Sequence, residues 1–508
     1  MLLCGCSVNE TISTVDQSIE SQSEVSINQS IEDYSSVENE VSSETFSSVE
    51  ESISSVEEIS SSTEIVEKPP KAKNITNYLG DDNDIFRINI TTDDGSFPTN
   101  KVDYVPGFLT ITQQDTQKVE FEGAKMGVRL RGNSTLEGDK KPFRIKFDKK
   151  QSLFGLPKAK SWVLLANYFD KSNVRNYLAY LLANKLDNLY FQPSSIFVDV
   201  YFNNQYQGLY MLTEQMEEKE GRVDIAGHMS EDGIDSFLLE ADFRAIDEYA
   251  GKAGTCYLEM LDYKMVLKYP DCDDYLDALV DKNSTDPKVA EEANQTIEQY
   301  EKDLAWINNF LAIVRRRITS KVGYTDVIDV DSFIDYYLIE ELFKNVDVGS
   351  TSQYYFVDQA DETPKLKCGP VWDFDIAGGA VGLINGASPA YQSYIDSGLW
   401  VRERDSFYKN LFADDYFRFK VIDRYGKVKS ILQSVCDEVD ILRTYLSKAQ
   451  ERNLQRWPFT QKRQGWIEVY ALSDEFVQIS SIESHYAFLN NFLRQRFSLL
   501  NYCYGQQE

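Results

Sequence analysis

Residues 368–379 read Cys-Gly-Pro-Val-Trp-Asp-Phe-Asp-Ile-Ala-Gly-Gly, and they set two carboxylates, Asp373 and Asp375, inside an otherwise apolar run. An unpaired carboxylate is costly to bury, so a strand-like run holding two of them needs a neutralising partner. A Lys or Arg, a turn or a metal ion could each serve. Upstream, residues 333–345 (FIDYYLIEELFKN) have the apolar spacing of a helix and end just before Asp347. Two short strand patterns follow, at 353–358 and 365–375. A hairpin returns its far end close to its start. Asp347, 26 residues before Asp373, is therefore expected at one edge with Asp373 and Asp375. Three acids without a nearby His suit a hard cation, Mg²⁺ or Mn²⁺, that carries phosphate. One of them could instead orient or deprotonate a nucleophile.

The rest of the chain supplies the setting. From residue 84 to 270 the pattern is strand-rich: 84–95 alternates and ends in a turn signal, while 126–135 and 140–148 read as two strands joined by a Gly-containing loop. Residues 196–215 read as a hairpin turning at Asn203-Asn204, and 172–188 as a helix capped by Ser172. From 271 to 508 the chain becomes mainly helical. The expected class is α+β with two lobes, a mixed or antiparallel sheet lobe followed by a helical one that carries the acid-bearing hairpin.

The first half also holds the cations. Lys146 lies on an expected strand, Arg131 follows another, and Arg175 sits at the start of the 172–188 helix, where the helix N-terminus favours phosphate. Glu214 and Glu240 are the acids that could pair with Lys146. The order of an Asp, a short hairpin and a second Asp is that of protein kinases, in which the first Asp addresses the acceptor hydroxyl and the second binds metal. Kinases place an Asn five residues after the first Asp; here that position is Ser352, a weaker ligand.

Charge is unevenly distributed. Of the formal −30, half lies in residues 1–67, which hold 15 acids and no Lys or Arg. An acidic balance on both sides of residue 67 argues against nucleic acid as a partner. Two histidines, His228 and His485, are too few for a zinc site or a His-based triad built in the usual way. The seven cysteines show no CxxC spacing, and no apolar run reaches the length of a membrane span. Residues 1–6 (MLLCGC) have the form of a lipobox remnant, with Cys6 as the acceptor of a lipid. Residues 7–70 are a ragged Ser-Ser-Val-Glu repeat ending at Pro69-Pro70, a composition that cannot offset its ordering entropy. Together they are expected to form a disordered tether holding the folded part at a bacterial cell surface, with the membrane reached only through that lipid.

Several stretches resemble one family in order: 128–148 (VRLRGNSTLEGDKKPFRIKFD), 162–179 (WVLLANYFDKSNVRNYLA), 198–215 (VDVYFNNQYQGLYMLTEQ), 237–242 (FLLEAD) and 369–379 (GPVWDFDIAGG). They look like the spore coat protein H (CotH) kinase family, across about residues 84–500. The resemblance implies an atypical protein-kinase-like fold that uses ATP and Mg²⁺ to phosphorylate exposed Ser residues of surface or secreted proteins. By that similarity Asp347 is the catalytic Asp and Asp373 the metal Asp, with Asp375 close by. Two rival readings share the fold: a non-catalytic adhesion or scaffold protein, and an enzyme transferring AMP.

Overall fold

The computed structural model describes residues 83–505, apart from 226–228, 231–232, 235, 359–362, 382–397, 460–462, 464 and 466. The expected tether, Cys6 and His228 lie outside the described residues.

Strong period-2 burial builds the first sheet. In β1 (Phe86–Thr92) Phe86, Ile88 and Ile90 are buried and alternate with more open positions. It is joined by β2 (Val105–Thr112), β3 (Val119–Leu130), β4 (Phe143–Gln151), β5 (Ala159–Leu165), β6 (Ser195–Phe202) and β7 (Gln205–Glu214). These strands close into a barrel in the order β1-β2-β3-β4-β5-β7-β6, sealed by a parallel pairing of β1 with β6. The expected α+β class stands, and the sheet of the first half is closed into a barrel, antiparallel except for the β1–β6 pairing. Closure removes both sheet edges, so no strand of this set is left with an unpaired ladder.

Alternation then divides each wall strand between two cores. On β5, Trp162 and Leu164 fill the barrel, while Val163 and Leu165 join the larger core outside it. β7 does the same with Tyr210 and Leu212 inward and Leu209 and Met211 outward. The β6–β7 turn falls at Asn203-Asn204, both with positive φ (49° and 65°), as a two-residue hairpin with right-handed strand twist requires.

Helix α1 (Arg175–Lys185) packs under this wall. It starts three residues later than the sequence suggests, and Ser172 does not cap it. Asp170 takes that place: its carboxylate accepts the backbone N–H groups of Ser172 (3.0 Å) and Arg175 (2.8 Å). A charged acceptor two residues upstream outcompetes the hydroxyl, which itself donates to Asp170.

After a short ladder of β8 (Met229–Ser230) and β9 (Gly233–Ile234), a second, antiparallel sheet forms from β10 (Phe237–Asp242), β11 (Tyr257–Met260), β12 (Tyr263–Tyr269), β13 (Thr351–Val357) and β14 (Lys367–Cys368), in the order β11-β12-β10-β13-β14. Strands from both sides of residue 270 therefore share one sheet. Between them run α2 (Ala245–Glu248), α3 (Cys272–Asp281), α4 (Pro287–Ser320) and α5 (Val330–Phe343), and beyond them α6 (Trp400–Arg404), α7 (Ser406–Leu411), α8 (Asp415–Tyr445), α9 (Ser447–Arg456), α10 (Asp474–Gln478) and α11 (Ile482–Tyr504). Helix α5 is buried on every side, as a helix with little amphipathicity must be. A disulfide joins Cys256 to Cys272, 16 residues apart, at the foot of α3.

Candidate active site

Asp347 follows the end of α5, where Lys344 takes a left-handed conformation that stops the helix. Its carbonyl anchors the turn into β13, accepting from the N–H of Ser350 (3.0 Å) and Thr351 (3.1 Å) and from the Ser350 hydroxyl (2.7 Å). No described donor meets its carboxylate, which stays open toward the second Asp. β13 pairs with β14 through Tyr355–Cys368 and Phe356–Lys367, and the chain then runs on to Trp372 and Asp373. The strand expected over 365–375 thus ends at Cys368. Beyond it, backbone pairing passes to side chains: Gln192 clamps Val371 by two hydrogen bonds (3.1 and 3.2 Å), and Asn176 of α1 accepts the Phe374 N–H at 2.6 Å.

The hairpin brings the acids together. Asp373 and Ser352 both hold left-handed backbone (φ 67° and 59°), and the Ser352 hydroxyl donates to Asp373 at 3.2 Å. Positive φ at two facing non-Gly residues is strain kept by the surrounding structure. Burial pushes the Asp347 carboxyl up to about 7; the charge of Asp373 adds to this, and Arg244 and Arg404 offset part of it. Asp375 is held well above the usual carboxylate range by burial, then by Asp373 and Asp347. The cluster is short of positive charge.

Its donors are carboxylate and hydroxyl oxygens, which fits a hard divalent cation. Among the described residues, no three His, Cys, Asp or Glu side chains are gathered to hold a metal by themselves. A divalent cation held here would need further ligands, such as phosphate oxygens, to complete its shell.

The cations divide. Arg131 reaches the site: its guanidinium lies 5.9 Å from the Trp372 ring, and its charge counters that of Asp375. Lys146 does not touch the acids; it is exposed on β4, opposite Gly127 and Ser161. Arg175 is fully buried and engaged, ion-paired to Asp170 and donating to the carbonyls of Ala377 (2.8 Å) and Gly378 (3.2 Å). It props the segment after Asp375 and has no face free for phosphate. Neither candidate partner pairs with Lys146. Glu214 is bound by Arg222 (2.6 Å) and the Ser194 N–H (2.7 Å), and Glu240 lies 3.5 Å from Lys268.

Other residues of the site were not singled out from sequence. Arg129 and Arg144 are cross-strand partners on β3 and β4, on the same barrel face as Arg131 and Lys146 by alternation; each has a buried Nε without an acceptor, while Arg144 also lies 3.9 Å from Glu217 and Arg129 5.0 Å from the Tyr104 ring centroid. The spacing of RLR and FRIK could have shown them. Arg244, held by Asp242 through two 2.8 Å bonds, and Arg404 come from distant segments with no local signal. Tyr180 of α1 stacks on Trp372 (centroids 5.8 Å), closing the apolar wall. Beside this wall a cleft of about 370 Å³ opens between Pro370, Gln192 and the end of β7.

The CotH kinase protein family matches residues 128–500. The chain belongs to the CotH kinase family. The match takes in Arg131, α1, Asp347 and the Asp373–Asp375 loop, and it begins inside β3, so two strands of the barrel precede it. Membership implies a kinase-like protein with a general use of ATP and a divalent metal. No curated protein matches the chain.

Proposed function

We propose that this CotH-family protein is an ATP- and Mg²⁺- or Mn²⁺-dependent kinase of two-lobed, protein-kinase-like type that phosphorylates exposed Ser residues on surface or secreted proteins. The carrying observation is the hairpin edge, where an open Asp347 meets a cation-poor pair of acids facing Arg131. Asp373 and Asp375, with the Ser352 hydroxyl, would hold the metal. Bound with ATP, such an ion would supply positive charge against the phosphates. Arg131 and the unpartnered guanidinium Nε groups of Arg129 and Arg144 line up for the polyphosphate, and the cleft beside Pro370 leaves room for the base. Asp347 then accepts the proton of an incoming Ser hydroxyl, a task suited to a carboxyl poised near neutrality.

A surface location draws support from the Cys256–Cys272 disulfide, since such bonds persist in oxidising compartments. The tether composition and a lipid on Cys6 belong to the same proposal. Incubating the full chain and an acidic Ser peptide with γ- or α-labelled ATP and Mg²⁺ or Mn²⁺ tests the reading. Transfer of the γ label supports it; transfer of the α label means AMP transfer; no transfer of either leaves the non-catalytic scaffold.

A further inference from the structure

A second cavity of about 370 Å³ lies between the β3–β4 loop, residues 167–173 and helix α9. It has none of the three site acids in its walls, yet it holds a buried ammonium. Lys140 is 3% exposed; its Nζ donates to the Leu209 carbonyl (2.5 Å) and to Asn173 Oδ1 (3.5 Å). An ammonium carries three donors; the third meets no hydrogen-bond acceptor among the described residues, and the head lies 4.9 Å from the centroid of the Tyr210 ring. No described carboxylate lies within ion-pairing distance of it either. A buried charge so placed is costly, and burial, with repulsion from Lys171, pushes Lys140 down to about 7.

Two acids act on it at longer range and neither ion-pairs with it: Asp199 is held by Arg452 (2.6 Å) and the Tyr206 hydroxyl (2.8 Å). Asp170 already accepts from Arg175, the Ser172 hydroxyl and two backbone N–H groups. Two more cations stand in the cavity wall: Lys171, 3.8 Å from Glu468, and the exposed Arg456, stacked over Trp457 at 4.2 Å. Three cationic heads from three chain segments suit an anion with oxygens in several directions, and the cavity has room beyond the ion itself. We propose that this cavity binds a phosphate-class oxyanion, free or carried on a small molecule, with Lys140 as its buried ligand and Lys171 and Arg456 closing over it.

The site would sit one contact from the acid cluster. Asp170, in its wall, is the partner that fixes Arg175, and Arg175 holds the carbonyls of Ala377 and Gly378.

The test is calorimetric titration of the full chain with inorganic phosphate and with O-phosphoserine. An Arg129→Ala/Arg131→Ala/Arg144→Ala background removes the proposed polyphosphate strip, so the outcome does not depend on kinase activity. One site per chain is expected, weakened about tenfold or more by Lys140→Met, the loss of one charge-assisted hydrogen bond. Arg456→Ala should weaken it several-fold; because Arg456 is exposed, that variant keeps the test open if Lys140→Met fails to fold. Tighter binding of phosphoserine would identify a carried phosphate, and tighter binding of phosphate a free ion. Absence of saturable binding at millimolar ligand, or equal affinity in the background protein and both variants, would overturn the proposal.

Discussion

At the scale of one residue, the proposed chemistry turns on Asp347. Its carboxyl titrates near 7 because burial and Asp373 both disfavour its charge. As the proposed general base it would work only when ionised, so phosphorylation should fall as pH drops through about 7. Higher Mg²⁺ should shift that limb to lower pH, since a cation on Asp373 removes part of the repulsion. A pH–rate series at two Mg²⁺ concentrations checks both; a midpoint indifferent to Mg²⁺ would separate Asp347 from the metal acids. Asp347→Asn should cut turnover by about 10²-fold or more while ATP affinity stays within a few-fold. Stability should move the other way. Folding raises this carboxyl from 3.8 to about 7, so its contribution is full below pH 3.8 and is lost as pH climbs through 7. In metal-free buffer Asp347→Asn should melt higher than the wild type, with a larger gain at pH 8 than at pH 5. Equal melting at both values would deny the raised carboxyl.

At the scale of an element, helix α1 is the beam that supports the acid loop. Arg175 and Asn176, its first residues, bind the backbone at Ala377, Gly378 and Phe374, while Tyr180 carries Trp372. Sequence placed this helix correctly within a few residues and misread its first turn. A position beside a helix N-terminus suggests phosphate binding, but the same guanidinium becomes structural once Asp170 and two carbonyls surround it. Arg175→Met strands a fully buried Asp170 and should cost about 3–5 kcal/mol in urea unfolding, as removal of one member of a buried pair does. A phosphate-binding Arg would instead lose ATP affinity at unchanged stability, so the two measurements separate the roles. The hairpin was legible because its strands are short, apolar and bounded by acids. Where β14 stops was not, because side chains of Gln192 and Asn176 replace the ladder from Val371 onward.

At the scale of the whole molecule, closure is the feature that local patterns do not encode. The parallel pairing of β1 with β6 joins residues 86–90 to residues 198–202, and the second sheet joins 237–242 to 351–357. The Cys256–Cys272 bond belongs to the same class, since cysteines without CxxC spacing reveal their partner only in the folded chain. Closing a loop of this size is worth about 3 kcal/mol, so reductant should lower the melting temperature by several degrees. Among the described residues the other cysteines, Cys368, Cys436 and Cys503, are free thiols. An unchanged melt under reduction would mean the bond carries no stability.

By itself the sequence determined what depends on neighbours along the chain. Strand and helix periods, the Asn203-Asn204 turn, the family-like motifs and the placing of Asp347 and Asp373 at two ends of a short hairpin all follow from spacing, because period and turn chemistry act over a few residues. The tertiary structure alone decided which of the cations stand near the acids. Lys146, Arg175, Lys140 and Arg131 look alike as letters, yet one is exposed, two are buried among different partners and one faces Asp375. The role of a charge is set by its desolvation and by what stands within a few ångströms of it, and both are fixed only when distant segments close around it.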